Sequence, residues 1–370
     1  MRIMHTADWH IGRNLAGFDL AEDQDAVFEE LVATAKKEHV DAIIIAGDLY
    51  DRANPSEESV KRVNQMLFRL NRQEGFPLLV VSGNHDSGVR LGTGQEWYAA
   101  TQLYMRTTLK DAFSPIVIDD TQFFLLPYFE PYEAREVLGD PSLTNVNKAM
   151  QRISKEMVQQ FDPTKKHILV GHFFAAGSAH SDSETLVNVG GLDAVAVSDL
   201  QPFDYVALGH LHNRHALDDA KVQYAGSLLK FSVSEAAQEK GVYIIDTATM
   251  QRRFVSLAPL HDLQHLTGSF ADFADPTNFS EAEKEAYTAL TLTDVEVIPN
   301  VMAKLRQVFP RLIGLDRKRH VDLGKVVQTN VKLAPTQLLG EFFSQVTGAE
   351  LSEQQLTWAK AALTKAKGED

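Results

Sequence analysis

No cysteine occurs in the 370 residues, so disulfides and thiolate metal ligands are excluded, and any bound metal must be held by histidine, carboxylate, amide or backbone oxygen. The same absence fits a cytoplasmic compartment. No apolar run is long enough to span a bilayer, and Met1-Arg2-Ile3 leads into a strand-like stretch without a signal-peptide pattern, so neither a membrane partner nor export is expected. Positive charge is scarce: 36 Lys and Arg stand against 50 Asp and Glu, a formal net charge of −14. A chain with that field does not grip nucleic acid by overall electrostatics, and a DNA partner would need a local basic patch, bound cations or a basic companion protein. Internal repeats and low-complexity segments are lacking as well. With 44% hydrophobic and 23% charged residues the composition is that of an ordinary globular protein, long enough for two or three domains.

Polar residues recur instead at the ends of apolar runs. Val80-Val81-Ser82-Gly83-Asn84-His85-Asp86 reads as a buried strand opening into a loop that presents an amide, an imidazole and a carboxylate. Four other runs close in the same way: Asp8 and His10 follow Arg2–Thr6, Asp48 follows Ala42–Ala46, His172 follows His167–Val170, and His210 and His212 follow Tyr205–Leu208. Ligands of open α/β sheets sit at the carboxyl ends of the strands, so five such ends point to a site rather than to five turns.

Between these runs the spacing predicts helices over 21–39, where Val27, Phe28, Leu31, Val32 and Ala35 share one face, and over 56–72, with acidic residues in its first turn. The resulting βαβαβ order implies a parallel sheet. A short helix is expected at 97–104, strands at 116–118 and 123–126, a helix at 146–161, and an antiparallel end to the sheet system at 222–224, 242–246 and 253–257. The fold class is α/β over residues 1–260. A smaller α+β domain is expected at 265–330, with strands near 289–293 and 312–315 and a helix at 301–309. A helix pair follows at 336–370, split by Thr347-Gly348-Ala349, its second helix opened by a capping box from Ser352 and Gln355.

Two divalent ions about 3.5–4 Å apart need a shared carboxylate, several further ligands and open positions for water and substrate. Asp8, His10, Asp48 and His212 can hold one, and Asp48, Asn84, His172 and His210 the other, with Asp48 bridging. Mixed nitrogen and oxygen ligation without sulfur suits manganese, iron or zinc, and a wet, high-coordination site favours Mn2+. Water on such an ion has its pKa lowered to about 7, which supplies a hydroxide nucleophile.

The dispersed pattern of Asp8-Trp9-His10, Gly47-Asp48-Leu49-Tyr50-Asp51, Gly83-Asn84-His85-Asp86, Gly171-His172 and Gly209-His210-Leu211-His212 resembles the calcineurin-like metallophosphoesterases. Within them it is most similar to the SbcD family, the nuclease components of bacterial SbcCD complexes, through His5–Arg13, Ser82–Ser87 with Arg90-Leu91-Gly92, Ser181-Asp182-Ser183-Glu184 and Ala225–Phe231. Ala7 and Leu228 depart from residues common in that family, at positions that are not ligands. The resemblance implies a two-sheet sandwich flanked by helices, and a DNA exonuclease and endonuclease of repair and recombination that works with the SbcC ATPase. It implies a homodimer formed through 56–72 and 97–105, and SbcC attachment through the C-terminal helix pair. It also implies that His85 is a catalytic residue at the scissile phosphate, where imidazole can donate a hydrogen bond and a proton, with Asp86 expected to orient it. Asp51 is expected to support the site rather than ligate. His5 is read as supporting or structural, and His39, His167, His180, His215, His261, His265 and His320 as structural. Arg90, Lys230 and Phe231 are candidates for a DNA recess or for ordinary packing. A small-substrate phosphodiesterase is the alternative that the metal pattern alone permits, and a metal-stabilised scaffold a more distant one.

Overall fold

The computed structural model describes residues 1–179, 181–184, 194–318 and 335–366. Two sheets dominate it. The first has the strand order Gln251–Ser256, Gly241–Asp246, Arg2–Thr6, Ala42–Ala46, Leu78–Val81 and Leu103–Arg106. The second runs Val222–Tyr224, Tyr205–Gly209, Lys166–His172, Thr121–Leu126 and Ile116–Ile118. Period-two alternation explains why they stack. In the first sheet Ile3, Ile44, Ala46, Leu79 and Val81 form one core with Phe123, Leu125, Ile168, Val170 and Ala207 of the second. The intervening residues Met4, Ile43, Ile45, Leu78 and Val80 join a separate core with the helix Ala21–Lys37. Both faces of these strands are therefore covered, which is why they read as unbroken apolar runs. Each fully buried Leu, Ile or Val contributes about 1.5–3 kcal/mol relative to exposure.

Local chemistry sets the helices. In Ala21–Lys37 the acidic Glu22 and Asp23 open the helix and Lys36 and Lys37 close it, each matched to the dipole end it occupies. Ser56 caps Glu57–Phe68 by accepting from the Ser59 amide at 3.1 Å.

Two expectations are corrected. The stretch 97–104 is not one helix: a turn of helix, Gln95–Tyr98, gives way at Gln102, whose φ is +65°, to the strand Leu103–Arg106, parallel to Leu78–Val81. Leu103 and Met105 are buried while Tyr104 and Arg106 are half-buried, the alternation of a strand. Val222–Tyr224 also pairs parallel, with Tyr205–Gly209, because the loop 210–221 is long enough to bring the chain back across the sheet end. The other two strands of that group are antiparallel as expected.

Residues Met1–Asp316 form one compact unit, which includes, up to Asp316, a three-stranded sheet of Leu263–Gly268, Tyr287–Leu292 and Leu312–Arg317. Its core of Phe273, Leu290, Leu292, Leu305, Phe309 and Leu312 is separate from the others. The expected 265–330 segment runs partly outside the described residues. A second unit, Arg317–Asp370, contains the helices Pro335–Thr347 and Glu353–Ala366. Gly348 (φ +72°) ends the first, and the expected capping box forms, the Gln355 side chain accepting from the Ser352 amide at 2.9 Å. Among the described residues no helix is long and apolar enough to cross a membrane.

Candidate metal centre

All seven proposed ligands and His85 follow or end five parallel strands at their carboxyl ends, three strands from the first sheet and two from the second. The loops are tied together through the backbone: the Asp8 amide donates to the Gly47 carbonyl at 3.0 Å, and the His10 amide to the Asp48 carbonyl at 3.0 Å. Asp8, His10, Asp48 and His210 all have positive φ, +53°, +45°, +52° and +95°. Such conformations are unfavourable for residues with side chains and persist where the surroundings over-determine them, which is the usual mark of a functional site.

The side chains converge. His10 Nε2 lies 3.1 Å from His212 Nε2 and 3.7 Å from Asp48 Oδ2, while His172 Nε2 is 3.2 Å from the same oxygen. Asn84 Oδ1 faces His172 Nε2 at 3.0 Å and His210 Nδ1 at 2.9 Å. Ligand atoms of Asp8, His10 and His212 lie within 4.8 Å of one another, as do those of Asp8, Asp48 and His172. Asp8 accepts from the His210 amide through Oδ1, but among the described residues its buried Oδ2 has no hydrogen-bond partner.

These residues fit divalent cations. Two ring nitrogens at 3.1 Å repel unless a proton or a cation lies between them, and an orphaned buried carboxylate oxygen is costly. A shared cation resolves both at once, with donors of the type that borderline metals take. The electrostatics agree. Burial holds His10 well below its ordinary pKa and His210 at about 3, so both are neutral imidazoles suited to ligation. Burial pushes the Asp8 carboxyl up to about 6. Burial would likewise raise Asp48 and lower His172, but their mutual attraction wins, leaving the carboxyl below its usual range and the imidazole at about 9.

His85 stands beside the cluster, its ring centroid 4.8 Å from that of His10 and edge-on to it. Its Nδ1 donates to the Asp51 carbonyl at 2.8 Å, and its amide donates to Asp48 Oδ1 at 2.8 Å. The orienting role expected of Asp86 is thus corrected. Asp86 accepts from the amides of Leu49 (3.2 Å), Tyr50 (3.0 Å) and Gly83 (2.9 Å), stapling two loops, and burial pushes its carboxyl up to about 7. The Asp51 side chain pairs with Arg13 at 3.3 Å and Arg52 at 3.3 Å, in the supporting role read from the sequence.

A surrounding layer carried little sequence signal. Gln24, from the first turn of its helix, donates to the His10 carbonyl at 2.8 Å and accepts from the Gly12 amide at 3.2 Å. Phe231 is buried against the rings of His10 and His212, with the Arg13 guanidinium 4.8 Å above its ring. Lys230 instead turns away to the Ala236 and Leu263 carbonyls, and Arg90 donates to the exposed Ala53–Asn54 turn. Ser183 and Glu184 reach the loop of His212, and behind them lies a fully buried Glu235 paired with Lys240 at 2.6 Å. In the sequence this layer showed only through the runs His5–Arg13, Ser181–Glu184 and Ala225–Phe231.

Other histidines have structural partners: Tyr205 for His5, Phe161 and Asp162 for His167, Asp23 for His261 and Thr291 for His265. His180 and His320 lie outside the described residues.

A family model described as calcineurin-like phosphoesterase matches residues 1–214, and one described as type 5 capsule protein repressor C-terminal domain matches residues 259–347. The chain is 33% identical over 359 residues to SbcD, the D component of the SbcCD nuclease, of Staphylococcus epidermidis, covering 96% of each chain. It is 31% identical over 360 residues to the protein of the same name from Staphylococcus saprophyticus, again with 96% of each covered. A solved dimetal phosphatase from Danio rerio is 12% identical, with 70% of this chain and 99% of that chain covered and a TM-score of 0.42.

Proposed function

The chain belongs to the calcineurin-like phosphoesterases and, within them, to the SbcD family of SbcCD nucleases, and on that premise we propose a metal-dependent DNA exonuclease and endonuclease that works with the SbcC ATPase at duplex ends and hairpins in repair and recombination. The observation that carries the reading is the convergence of His10 Nε2 and His212 Nε2, 3.1 Å apart, beside the unpartnered Asp8 Oδ2.

In this proposal two Mn2+ ions would be held, one by Asp8, His10, Asp48 and His212 and the other by Asp48, Asn84, His172 and His210. When bound, they supply an activated water and neutralise the phosphate undergoing in-line displacement. The protein's own contribution is positional. Buried His10 and His210 stay neutral and present lone pairs. Asp48, fixed through Oδ1 by the His85 amide, keeps Oδ2 toward His172 and His10. His85, its Nδ1–H committed to the Asp51 carbonyl, directs the rest of the ring at the phosphate and assists the leaving oxygen. The loops that Asp86 staples keep His85 and Asp48 in one frame.

The catalytic region spans 1–260 and the capping region 265–330. The pair 336–370 attaches SbcC through the face of Leu338, Leu339 and Phe342, all exposed. Dimerisation through the helix Glu57–Phe68 and the 97–105 segment is supported by the exposure of Val60, Phe68 and Trp97 around an 800 Å3 groove. A concentration-independent monomer mass by light scattering would count against it. The proposed compartment is the cytoplasm.

The purified chain with its coiled-coil ATPase partner should degrade linear duplex DNA in manganese and lose that activity in chelator. Cleavage of a small phosphodiester without any action on DNA would leave the small-substrate phosphodiesterase as the function.

A further inference from the structure

Three polar side chains that are not proposed ligands grip His212, beside a backbone hydrogen bond from the Ser227 amide to its carbonyl at 3.2 Å. Its amide donates to Glu184 Oε1 at 2.6 Å, its carbonyl accepts from Lys240 Nζ at 2.8 Å, and its Nδ1 lies 2.7 Å from Ser183 Oγ. Ser183 Oγ is in turn 2.5 Å from Glu235 Oε1. Glu235 is fully buried, and its other oxygen is held by Lys240 Nζ at 2.6 Å. It also accepts from Ser232 Oγ at 3.0 Å and from the Phe231 amide at 3.3 Å.

The direction of this chain of hydrogen bonds follows from counting protons. A carboxylate facing an ammonium is acceptor-only, so at 2.5 Å the Ser183 hydroxyl gives its single hydrogen to Glu235 rather than to the more distant Ser181 Oγ at 3.1 Å, whose own hydrogen goes to Glu184 Oε1. Ser183 Oγ is then left with lone pairs toward His212, and the ring must donate from Nδ1. A neutral imidazole with its proton on Nδ1 has its lone pair on Nε2, the atom that faces His10 Nε2. A serine alone would not settle this, since a hydroxyl can turn either way.

We propose that Ser183 and Glu235, backed by Lys240, are positioning residues that lock His212 as the Nδ1–H tautomer and so aim its Nε2 lone pair into the centre. The inference rests on the reading of His212 as a ligand, but the tautomer is a property of the metal-free chain. Histidine ligands generally depend on such outer partners, whose removal costs about 10- to 100-fold in metal affinity. Here the partner is a two-residue relay whose terminal carboxylate is neutralised by a buried lysine that also holds the ligand's own carbonyl.

The test uses the full chain with nitrogen-15 only in histidine, freed of divalent ions by chelator, and long-range proton–nitrogen correlation to read which ring nitrogen carries the proton. The His212 signal is the one lost in His212→Gln. Wild type should show the Nδ1–H form, and Ser183→Ala and Glu235→Gln should each convert it to a tautomer mixture. His167, whose Nε2 faces the Asp162 carbonyl at 3.0 Å, should stay unchanged as an internal check on folding. Manganese affinity, measured by calorimetry on the same proteins, should fall about 10- to 100-fold. An Nε2–H form in wild type, or an Nδ1–H form that persists in Ser183→Ala, overturns the proposal. If Ser183→Ala also disturbs His167, Ser183→Thr decides: it keeps the hydroxyl and must keep the Nδ1–H form, and loss of that form overturns the relay. A wild type that shows the relay yet binds no divalent ion would refute the metal reading alone, whereas one that binds manganese with an Nε2–H ring would refute the relay alone.

Discussion

Gly47→Ala tests how tightly the two sheets are fitted around the centre. Gly47 has φ +91°, and a Cβ built there would lie 2.3 Å from His172 Nδ1 and 2.7 Å from His172 Cγ. Holding a residue with a side chain in left-handed backbone costs about 1–2 kcal/mol. The imidazole must then retreat by roughly 1 Å to reach ordinary contact, and its 2.7 Å hydrogen bond to the Ala46 carbonyl is lost in a buried setting. An unsatisfied buried partner adds about 1–3 kcal/mol, so the substitution should cost about 2–5 kcal/mol in all. Gly75 supplies the control: its φ is +82° with nothing within 4 Å of the added Cβ, so Gly75→Ala should show the backbone penalty alone. Urea unfolding of the two variants beside wild type isolates the His172 contribution as their difference. Manganese titration should show weakened binding for Gly47→Ala and unchanged binding for Gly75→Ala. Equal destabilisation of the two, with manganese affinity intact in both, would refute the claim that Gly47 is glycine because His172 needs the space.

His85→Gln should keep its metal content by elemental analysis, because the amide that holds Asp48 is unaffected, while turnover on DNA falls roughly 100- to 10,000-fold; unchanged turnover removes His85 from the chemistry. Asp48→Ala should disturb both ions, so a variant that still binds one with wild-type affinity by calorimetry contradicts a bridging role. Burial lowers the His5 pKa to about 3, so the ring stays neutral in the fold while the unfolded chain takes up a proton below about 6.5. Its stabilisation is therefore complete above about pH 6.5 and lost as pH falls, at up to about 1.4 kcal/mol per pH unit, and the pH slope of the urea midpoint should flatten in His5→Gln. A chain ending at Ala334 should stay folded, bind manganese and cleave a small phosphodiester without co-purifying with SbcC; undiminished co-purification would place the attachment elsewhere.

Strands covered on both faces announce themselves as apolar runs, which is why Ala42–Ala46 was readable to the residue and the Val80-Val81 end of Leu78–Val81 was readable beside it. The convergence of polar side chains at the strand ends was readable because a strand end puts consecutive polar side chains into one crevice. Leu103–Arg106 was not, since four residues of mixed polarity beside a helical turn carry too little periodicity to override it. Asp86 was misread for a different reason: adjacency to His85 in sequence says nothing about where a carboxylate turns, and three backbone amides from two loops out-compete one imidazole. Glu235 and Lys240 were invisible because each looks like a surface charge until the fold buries them together.

The central place of Arg2–Thr6, between Ala42–Ala46 and Gly241–Asp246, also dictates a schedule for the ribosome. At about 5–20 residues per second, roughly 12–50 s pass between synthesis of the first of these strands and the last. Throughout that interval the nascent chain carries an apolar strand with one edge unpaired, the kind of edge that recruits strands from other chains. Asp8 and His10 likewise wait for His210 and His212 to emerge, so under the proposed ligand set metal loading would follow assembly of the sheets rather than guide it, and growth conditions that slow elongation should raise the demand for chaperones before they touch the supply of divalent metal.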